Sequence, residues 1–230
     1  MKRLITIVLL LYPVMLIAQE FKFHVQGVVQ DTSHAKFAYL STLSHRVDLT
    51  SQKIFLVTPV VDGKFEFKGT ADLEGKDYQT ACVFVDDRSN ISKEELASKY
   101  KLLVWVAGRE ENIKVIALED LSLAIQGRDE MKDAKVVKNG VLTSQLDEWD
   151  IAYRAKKAGI IRFIKKYPDS PISFEQVESL SRYATFSDGD KLVAQYGRVK
   201  EMYPLLSERL KNSKRGKALG KKLKITPGKK

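Results

Sequence analysis

The sequence predicts an α+β fold, with an N-terminal antiparallel β-sandwich or open barrel followed by a helical subdomain. Short apolar runs separated by turn residues fill residues 21–127, without the strand-helix-strand alternation of a parallel sheet. Apolar residues recur at helical spacing from Ser144 onward. The chain has 230 residues, 44% of them hydrophobic, which is enough for a sizeable core.

The predicted strands depend on period-two patterns and on turn residues. Apolar and polar residues alternate over residues 21–26 and stop at Gly27. Asp62-Gly63 lies between the apolar pair at residues 60–61 and the alternating segment at residues 65–67, which predicts a tight hairpin. Ser92 opens a short helix with a capping box. Other strands are predicted at residues 36–40, 53–61, 79–85, 102–107, 113–118 and 122–126.

A polar stretch with the turn Asn139-Gly140 marks the predicted domain boundary. We therefore expect a sandwich at residues 19–128, a linker at 129–143, a helical subdomain at 144–224 and a basic tail at 225–230. Helical spacing predicts one helix over residues 144–167, capped by Ser144 and ended by Pro168. Further helices are predicted at residues 173–184, 190–203, 205–210 and 213–223.

Residues 1–18 predict a cleaved secretory signal peptide. Lys2 and Arg3 precede an apolar run at residues 4–17, shorter than the roughly 20 residues of a membrane span. Ala18 is a small residue suited to cleavage. We expect an exported protein, periplasmic or associated with the outer membrane, with no transmembrane span after signal cleavage. An uncleaved anchor helix is the alternative.

The net charge of +10 is concentrated near the C-terminus. Residues 209–230 contain ten basic residues and no acidic one, whereas the rest of the expected mature chain has 27 basic and 29 acidic residues. This pattern indicates contact with an anionic envelope surface or an acidic partner, or else a solvated helix and linker. Nucleic acid is not expected, because no aromatic residues interleave with the lysines. The candidate contact residues are Lys211, Lys214, Arg215, Lys217, Lys221, Lys222 and Lys224.

No residue pattern predicts catalysis, a cofactor or a metal site. Cys82, the single cysteine, lies in an apolar run, which favours a buried side chain of low reactivity. The histidines lack metal-ligand spacing, and Asp86-Asp87 is better explained as a solvated turn than as a cation site. The same weighing covers His24, His34, His45, Glu110, Glu111, Glu119, Asp120, Asp188 and Asp190, with Trp105 and Trp149 expected to be core anchors.

Four stretches in a fixed order carry a family resemblance. They are VVDGKFEFKG, GRDEMKDAKVVKNG, FIKKYPDSPISFEQVESLSRY and LKNSKRGKALGKKLKITPG. Together they resemble the DUF4369-like domain of unknown function at the N-terminus of exported AhpC/TSA-type, thioredoxin-like proteins of Bacteroidota. In that family, the position of Pro227-Gly228 leads into a thioredoxin-like domain with a Cys-x-x-Cys dithiol. Since nothing follows Lys230 here, the resemblance brings no redox residue to this sequence.

The resemblance has one departure, and it leaves three functions open. Family members have a charged helical hairpin before the motif at Pro168-Asp169-Ser170, where this sequence predicts a single helix. We expect a non-catalytic accessory or binding domain of the cell envelope. One alternative is half of a split thiol-disulfide system whose partner is a thioredoxin-like protein. The other is a surface protein held electrostatically by its basic tail.

Overall fold

The computed structural model describes residues 20–42, 54–73, 75–101, 107–182 and 189–224. The described strands form two four-stranded sheets, in the orders β4-β1-β7-β8 and β3-β2-β5-β6. They are β1 (Glu20–Val29), β2 (Phe37–Ser41), β3 (Phe55–Pro59), β4 (Lys64–Asp72), β5 (Thr80–Asp86), β6 (Lys114–Ala117), β7 (Asp120–Ile125) and β8 (Lys135–Asn139). Helices follow, so the predicted α+β class is confirmed. Residues 1–19, which include the predicted signal peptide, lie outside the described part.

Helices dominate the second half of the described chain. They are α1 (Lys93–Lys101), α2 (Val141–Arg154), α3 (Lys156–Lys166), α4 (Pro171–Leu180), α5 (Gly189–Tyr196), α6 (Val199–Met202), α7 (Glu208–Asn212) and α8 (Lys214–Lys222). Ser170, rather than Ser173, caps α4, and Gly197 with φ +93° separates α5 from α6 where one helix was expected. Within the described residues, none of these helices has the length and apolar character to cross a bilayer.

The two sheets pack face to face around one apolar core. Phe65 and Phe67 on β4 are buried, and their neighbours on the strand are exposed, as the period-two pattern predicts. Leu123 from β7 and Leu40 from β2 belong to the same core, so the core lies between the sheets. The pairing of β1 with β7 is the one parallel pair among the described strands, and it was not expected from the sequence.

The turn at Asp62-Gly63 forms as predicted, but the hairpin does not. Both residues have positive φ, +50° and +71°, and Val61 and Lys64 exchange backbone hydrogen bonds of 2.9 Å in both directions. However, β3 ends at Pro59 in one sheet, whereas β4 pairs with β1 in the other. The turn therefore takes the chain across the sandwich, because turn chemistry determines the reversal but not the partner strand.

Helix α1 covers the outer face of the sheet that contains β5. Tyr39 and Phe84 stack there with ring centroids 4.8 Å apart, next to Ile91 and Leu96. Ser92 Oγ accepts a hydrogen bond of 3.1 Å from the Glu95 backbone N–H, so α1 begins where predicted. Of the strand predicted at residues 102–107, only Ala107 lies in the described part, and it is in a turn.

The segment predicted as a linker, residues 129–143, is folded into the sandwich. A 3₁₀ turn at Arg128–Asp133 buries Met131 completely in the sandwich core. Next, β8 pairs with β7 at the edge of the sheet, and α2 starts at Val141. The prediction was wrong because an edge strand with lysines, such as β8, has the composition of a solvated loop.

The single helix expected over residues 144–167 is instead a helical hairpin of α2 and α3. The chain reverses at Lys156, which has φ +58°. Trp149 of α2 then meets Phe163 of α3 edge to face, with centroids 5.3 Å apart. Gly159 allows close packing, since a Cβ there would stand 2.3 Å from the carbonyl oxygen of Ala152. Helical periodicity did not reveal the break, because both arms bury apolar residues in the same core.

Candidate functional site

A cleft of about 1010 Å³ separates the sandwich from the helical hairpin. Its walls are β6, the chain leading into β8 and the exposed side of α2. The lining residues are Glu110, Glu111, Ile113, Lys114, Val115, Lys132, Asp133, Ala134, Lys135, Val136, Ser144, Leu146, Asp147, Trp149, Asp150, Ile151 and Arg154. The cleft thus lies where β6 and β8, the edge strands of the two sheets, meet α2.

Exposed apolar side chains line this cleft from two directions. Val115 of β6 is 45% exposed and Ile151 of α2 is 69% exposed. Trp149, only 9% exposed, also contributes to the lining while anchoring the helical core, as the sequence predicted. Isolated exposed apolar residues are ordinary, but several around one concavity are typical of an interaction site.

A buried ion pair holds α2 against the sandwich. Lys114 Nζ on β6 lies 2.7 Å from Asp147 Oδ1 on α2, and the lysine side chain is only 4% exposed. The same ammonium group donates a hydrogen bond of 3.3 Å to the backbone oxygen of Lys132. Removing one partner of such a pair leaves an uncompensated buried charge, so the pair maintains the spacing of the cleft walls.

Much of the charge around the cleft is already neutralised internally. Lys132 pairs with Glu110, and Arg154 NH2 lies 2.8 Å from Asp150 Oδ2. With Lys114 paired to Asp147, the described cleft presents apolar surface between paired charges rather than a concentration of one sign. This arrangement suits a neutral or apolar surface better than a small ion.

Glu119, in the turn between β6 and β7, caps the N-terminus of α2 from outside the helix. Its Oε1 accepts hydrogen bonds from the Thr143 backbone N–H (2.6 Å) and from Thr143 Oγ1 (2.7 Å). Its Oε2 accepts one of 3.2 Å from the Leu142 N–H. Thr143 Oγ1 in turn accepts a hydrogen bond of 3.1 Å from Ala117 N–H at the edge of β6. The cap predicted at Ser144 is therefore wrong, since Gly140 occupies the N-cap position and the sandwich supplies the carboxylate.

The basic residues predicted to contact an anionic partner fall into two groups. Three make internal contacts: Lys211 Nζ lies 2.9 Å from Glu208 Oε1, Arg215 NH2 lies 2.7 Å from Glu178 Oε2, and Lys222 Nζ donates to Ser181 Oγ at 3.2 Å. The hydrogen bond to Glu178 raises the pKa of the Arg215 guanidinium. These side chains fasten α7 and α8 to the rest of the helical subdomain.

The other four lysines of this set point into solvent. Lys214, Lys217 and Lys221 are exposed on α8 at positions i, i+3 and i+7, which share one face of a helix. Lys224, also exposed, follows the helix with φ +54°. None of the four has an ion pair with another described residue.

The acidic pair Asp86-Asp87 is not a solvated turn. Asp86 is 4% exposed and accepts hydrogen bonds from the Arg88 backbone N–H (3.0 Å), Arg88 Nε (3.2 Å) and Arg128 NH2 (3.3 Å). Asp87 Oδ2 lies 2.9 Å from His34 Nδ1, and this hydrogen bond lowers the pKa of the carboxyl. Its neighbours are thus basic side chains of this chain, which explains the burial without a bound cation.

The remaining candidates do not come together in the structure. His24 contacts Glu66, and its Nδ1 lies 3.8 Å from Asp120 Oδ1 on the exposed sheet face. Cys82 is partly buried on the face covered by α1. Asp190 lies in the first turn of α5, while His45, Trp105 and Asp188 lie outside the described residues. In the part of the chain that the structure describes, no group of three or more His, Cys, Asp or Glu residues is arranged to hold a metal ion.

Sequence reasoning did not identify the cleft, although a signal for it exists. Ile151 is an apolar residue on the solvent side of an otherwise amphipathic helix, and Val115 holds the outward position in β6 between buried neighbours. Such misplaced apolar residues are recognisable once strand and helix faces are assigned. In comparisons with known proteins, the chain matches no protein-family model, no curated protein and no solved structure.

Proposed function

We propose that this chain is a non-catalytic binding module of the cell envelope, and that the cleft is the surface with which it holds a partner polypeptide. The observation that carries the proposal is the placing of Val115 and Ile151, exposed and apolar, on two walls of one cleft. The wall spacing is maintained by the buried pair of Lys114 with Asp147. Rigid walls bind with less loss of conformational freedom than mobile ones.

A polypeptide is favoured over a small molecule by the chemistry of the lining. Small-molecule sites enclose most of the ligand and aim a few unpaired polar groups at it. Here Lys132, Asp150 and Arg154 have their charges paired at the rim, with apolar side chains between them. Apolar contacts surrounded by polar ones are typical of protein interfaces.

The resemblance to the N-terminal domain of exported thioredoxin-like proteins suggests the kind of partner. The hairpin of α2 and α3 precedes Pro168-Asp169-Ser170, which is the order of features expected of that family. A thioredoxin-like protein is therefore the partner we propose, with the envelope location resting on the predicted signal at residues 1–18. The chain then contributes binding and positioning, and its partner contributes the dithiol.

Site-specific photo-crosslinking in the exporting cells tests the binding surface. A photoreactive amino acid at Ile151 or Val115 is expected to give a discrete adduct with a thioredoxin-like protein. Val28 and Val57, exposed valines that do not line the cleft, are the matched controls and are expected to give no such adduct. The same adducts at all four positions, or none at Ile151 and Val115, would contradict the cleft assignment.

An insulin-reduction assay tests the non-catalytic part separately. The purified chain is expected to reduce insulin no faster than buffer, because its single cysteine cannot form an internal dithiol. Clear turnover would overturn that part of the proposal and leave the crosslinking result to stand by itself.

A further inference from the structure

We propose that Lys214, Lys217 and Lys221 of α8 form a docking face for an anionic phospholipid bilayer, separate from the cleft. The sequence marks the whole basic segment as a candidate. The structure narrows it to these three side chains, because it turns them outward together and commits Arg215 and Lys222 to internal contacts.

The opposite side of α8 fixes its orientation. A Cβ at Gly216 would stand 2.0 Å from the backbone oxygen of Leu210, and one at Gly220 would stand 2.8 Å from the Tyr203 hydroxyl. The same hydroxyl donates a hydrogen bond of 3.0 Å to the Gly216 carbonyl, and Leu219 is buried beside these residues. Since only this small-residue side fits the subdomain, the lysine side must face solvent.

The charge of this face is not compensated by the elements packed against α8. The acidic side chains that the structure places next to α7 and α8 are engaged elsewhere, Glu178 with Arg215 and Glu208 with Lys211. Asp77 Oδ2 lies 3.8 Å from Arg215 NH1. Neither α8 nor the residues up to Lys224 include a carboxylate. The three lysines therefore present a field of one sign.

Helix stability does not explain these positions. Lys214 and Lys217 lie in the first turns of α8, where no acidic residue is present and where the helix dipole disfavours positive charge. Lysines placed against the dipole are better explained by an external anionic partner than by the helix itself.

A bilayer fits this face better than another macromolecule. The lysines span seven residues, or about 10 Å of helix, and a headgroup layer offers negative charge over that length without any requirement of shape. Ala218, small and exposed, lies beside them, so the face lacks the large apolar anchor that a protein interface normally centres on. It also lacks an aromatic residue for stacking on bases.

The expected strength is modest and sensitive to salt. Each lysine near an anionic surface strengthens binding about fivefold, so three strengthen it about a hundredfold. The attraction falls off within a Debye length of about 10 Å at 0.1 M salt, so added salt should release the protein.

Vesicle co-sedimentation tests the proposal with protein purified from the exporting cells, in whatever form those cells leave its N-terminus. The test variant combines Lys214→Gln, Lys217→Gln and Lys221→Gln. The matched control combines Lys22→Gln, Lys64→Gln and Lys138→Gln, which removes the same charge from exposed lysines elsewhere. Vesicles of phosphatidylcholine with phosphatidylglycerol are compared with vesicles of phosphatidylcholine alone, at low and high salt.

The expected result is salt-sensitive binding to the anionic vesicles that falls about a hundredfold in the α8 variant and stays near the wild-type level in the control. Equal losses in both variants would show that only net charge matters and would overturn the proposal. Unchanged binding of the α8 variant would overturn it too, as would binding to heparin in place of vesicles. Unchanged thermal unfolding of both variants verifies that the substitutions leave the fold intact.

Discussion

Replacing Glu119 with alanine is expected to destabilise the junction between the sandwich and α2. The substitution removes the acceptor of three hydrogen bonds, two from backbone N–H groups of the first turn of α2 and one from the Thr143 hydroxyl. It also removes a negative charge from the N-terminal end of the helix dipole. No side chain within α2 takes over the cap, because Gly140 is at the N-cap.

The size of the effect follows from these parts. Loss of an N-cap side chain costs about 1 kcal/mol, and loss of the charge at the helix end costs about 0.5 kcal/mol more. The hydroxyl of Thr143, which is fully buried, loses its acceptor at a cost of about 1 kcal/mol. Together these lower the free energy of unfolding by about 2–3 kcal/mol, or the melting temperature by about 5–10 °C for a chain of this size.

Thermal and urea unfolding of matched variants measure this loss. Glu119→Gln keeps one acceptor oxygen and is expected to fall between the wild type and Glu119→Ala. Glu111→Ala is the control, because Glu111 is an exposed carboxylate that makes no hydrogen bond within the described chain. A loss for Glu119→Ala below about 0.5 kcal/mol, as for an ordinary surface substitution, would refute the capping role.

Two further substitutions test the helical subdomain. Gly216→Ala should lower the free energy of unfolding by about 2 kcal/mol, because the new Cβ would collide with the Leu210 backbone oxygen. Lys217→Ala on the same helix should change it by less than about 0.5 kcal/mol, and equal losses in urea unfolding would contradict the packing. The hydrogen bond from Lys166 holds the pKa of Glu148 below its ordinary value of 4.5, so the pair stabilises the folded state above that pH and ceases to do so as the pH falls through the lowered pKa. Glu148→Gln should therefore be less stable than wild type at neutral pH, by under about 1 kcal/mol because both side chains reach solvent, and should match it in acid; a difference that persists in acid would count against the pair.

Local sequence signals gave the turns and several helix ends correctly. Asp62-Gly63 adopts the positive φ angles expected of it, and Ser92 and Ser213 begin α1 and α8 where predicted. Each signal works over three or four residues, through a side chain that bonds to its own backbone or a backbone angle that glycine tolerates. That is why one sequence sufficed to place them.

The candidate cleft was beyond the reach of the sequence for the opposite reason. Trp149 was foreseen as a core anchor, but its position in a cleft wall depends on Lys114 meeting Asp147, which lies 33 residues away. Likewise, α2 is capped by Glu119, 24 residues before Thr143. Contacts of this kind leave no trace in local periodicity.

The sequence by itself determined the fold class, the alternation that buries one face of β4, the helical second half and the basic character of α8. Those properties depend on which side chains are apolar or charged and on their spacing along the chain. Tertiary structure alone decided that β4 pairs with β1 rather than β3, that the chain reverses at Lys156, and that Arg215 is internal while Lys217 is exposed. These choices depend on burial and pairing between residues far apart in the chain, and such contacts override local propensity.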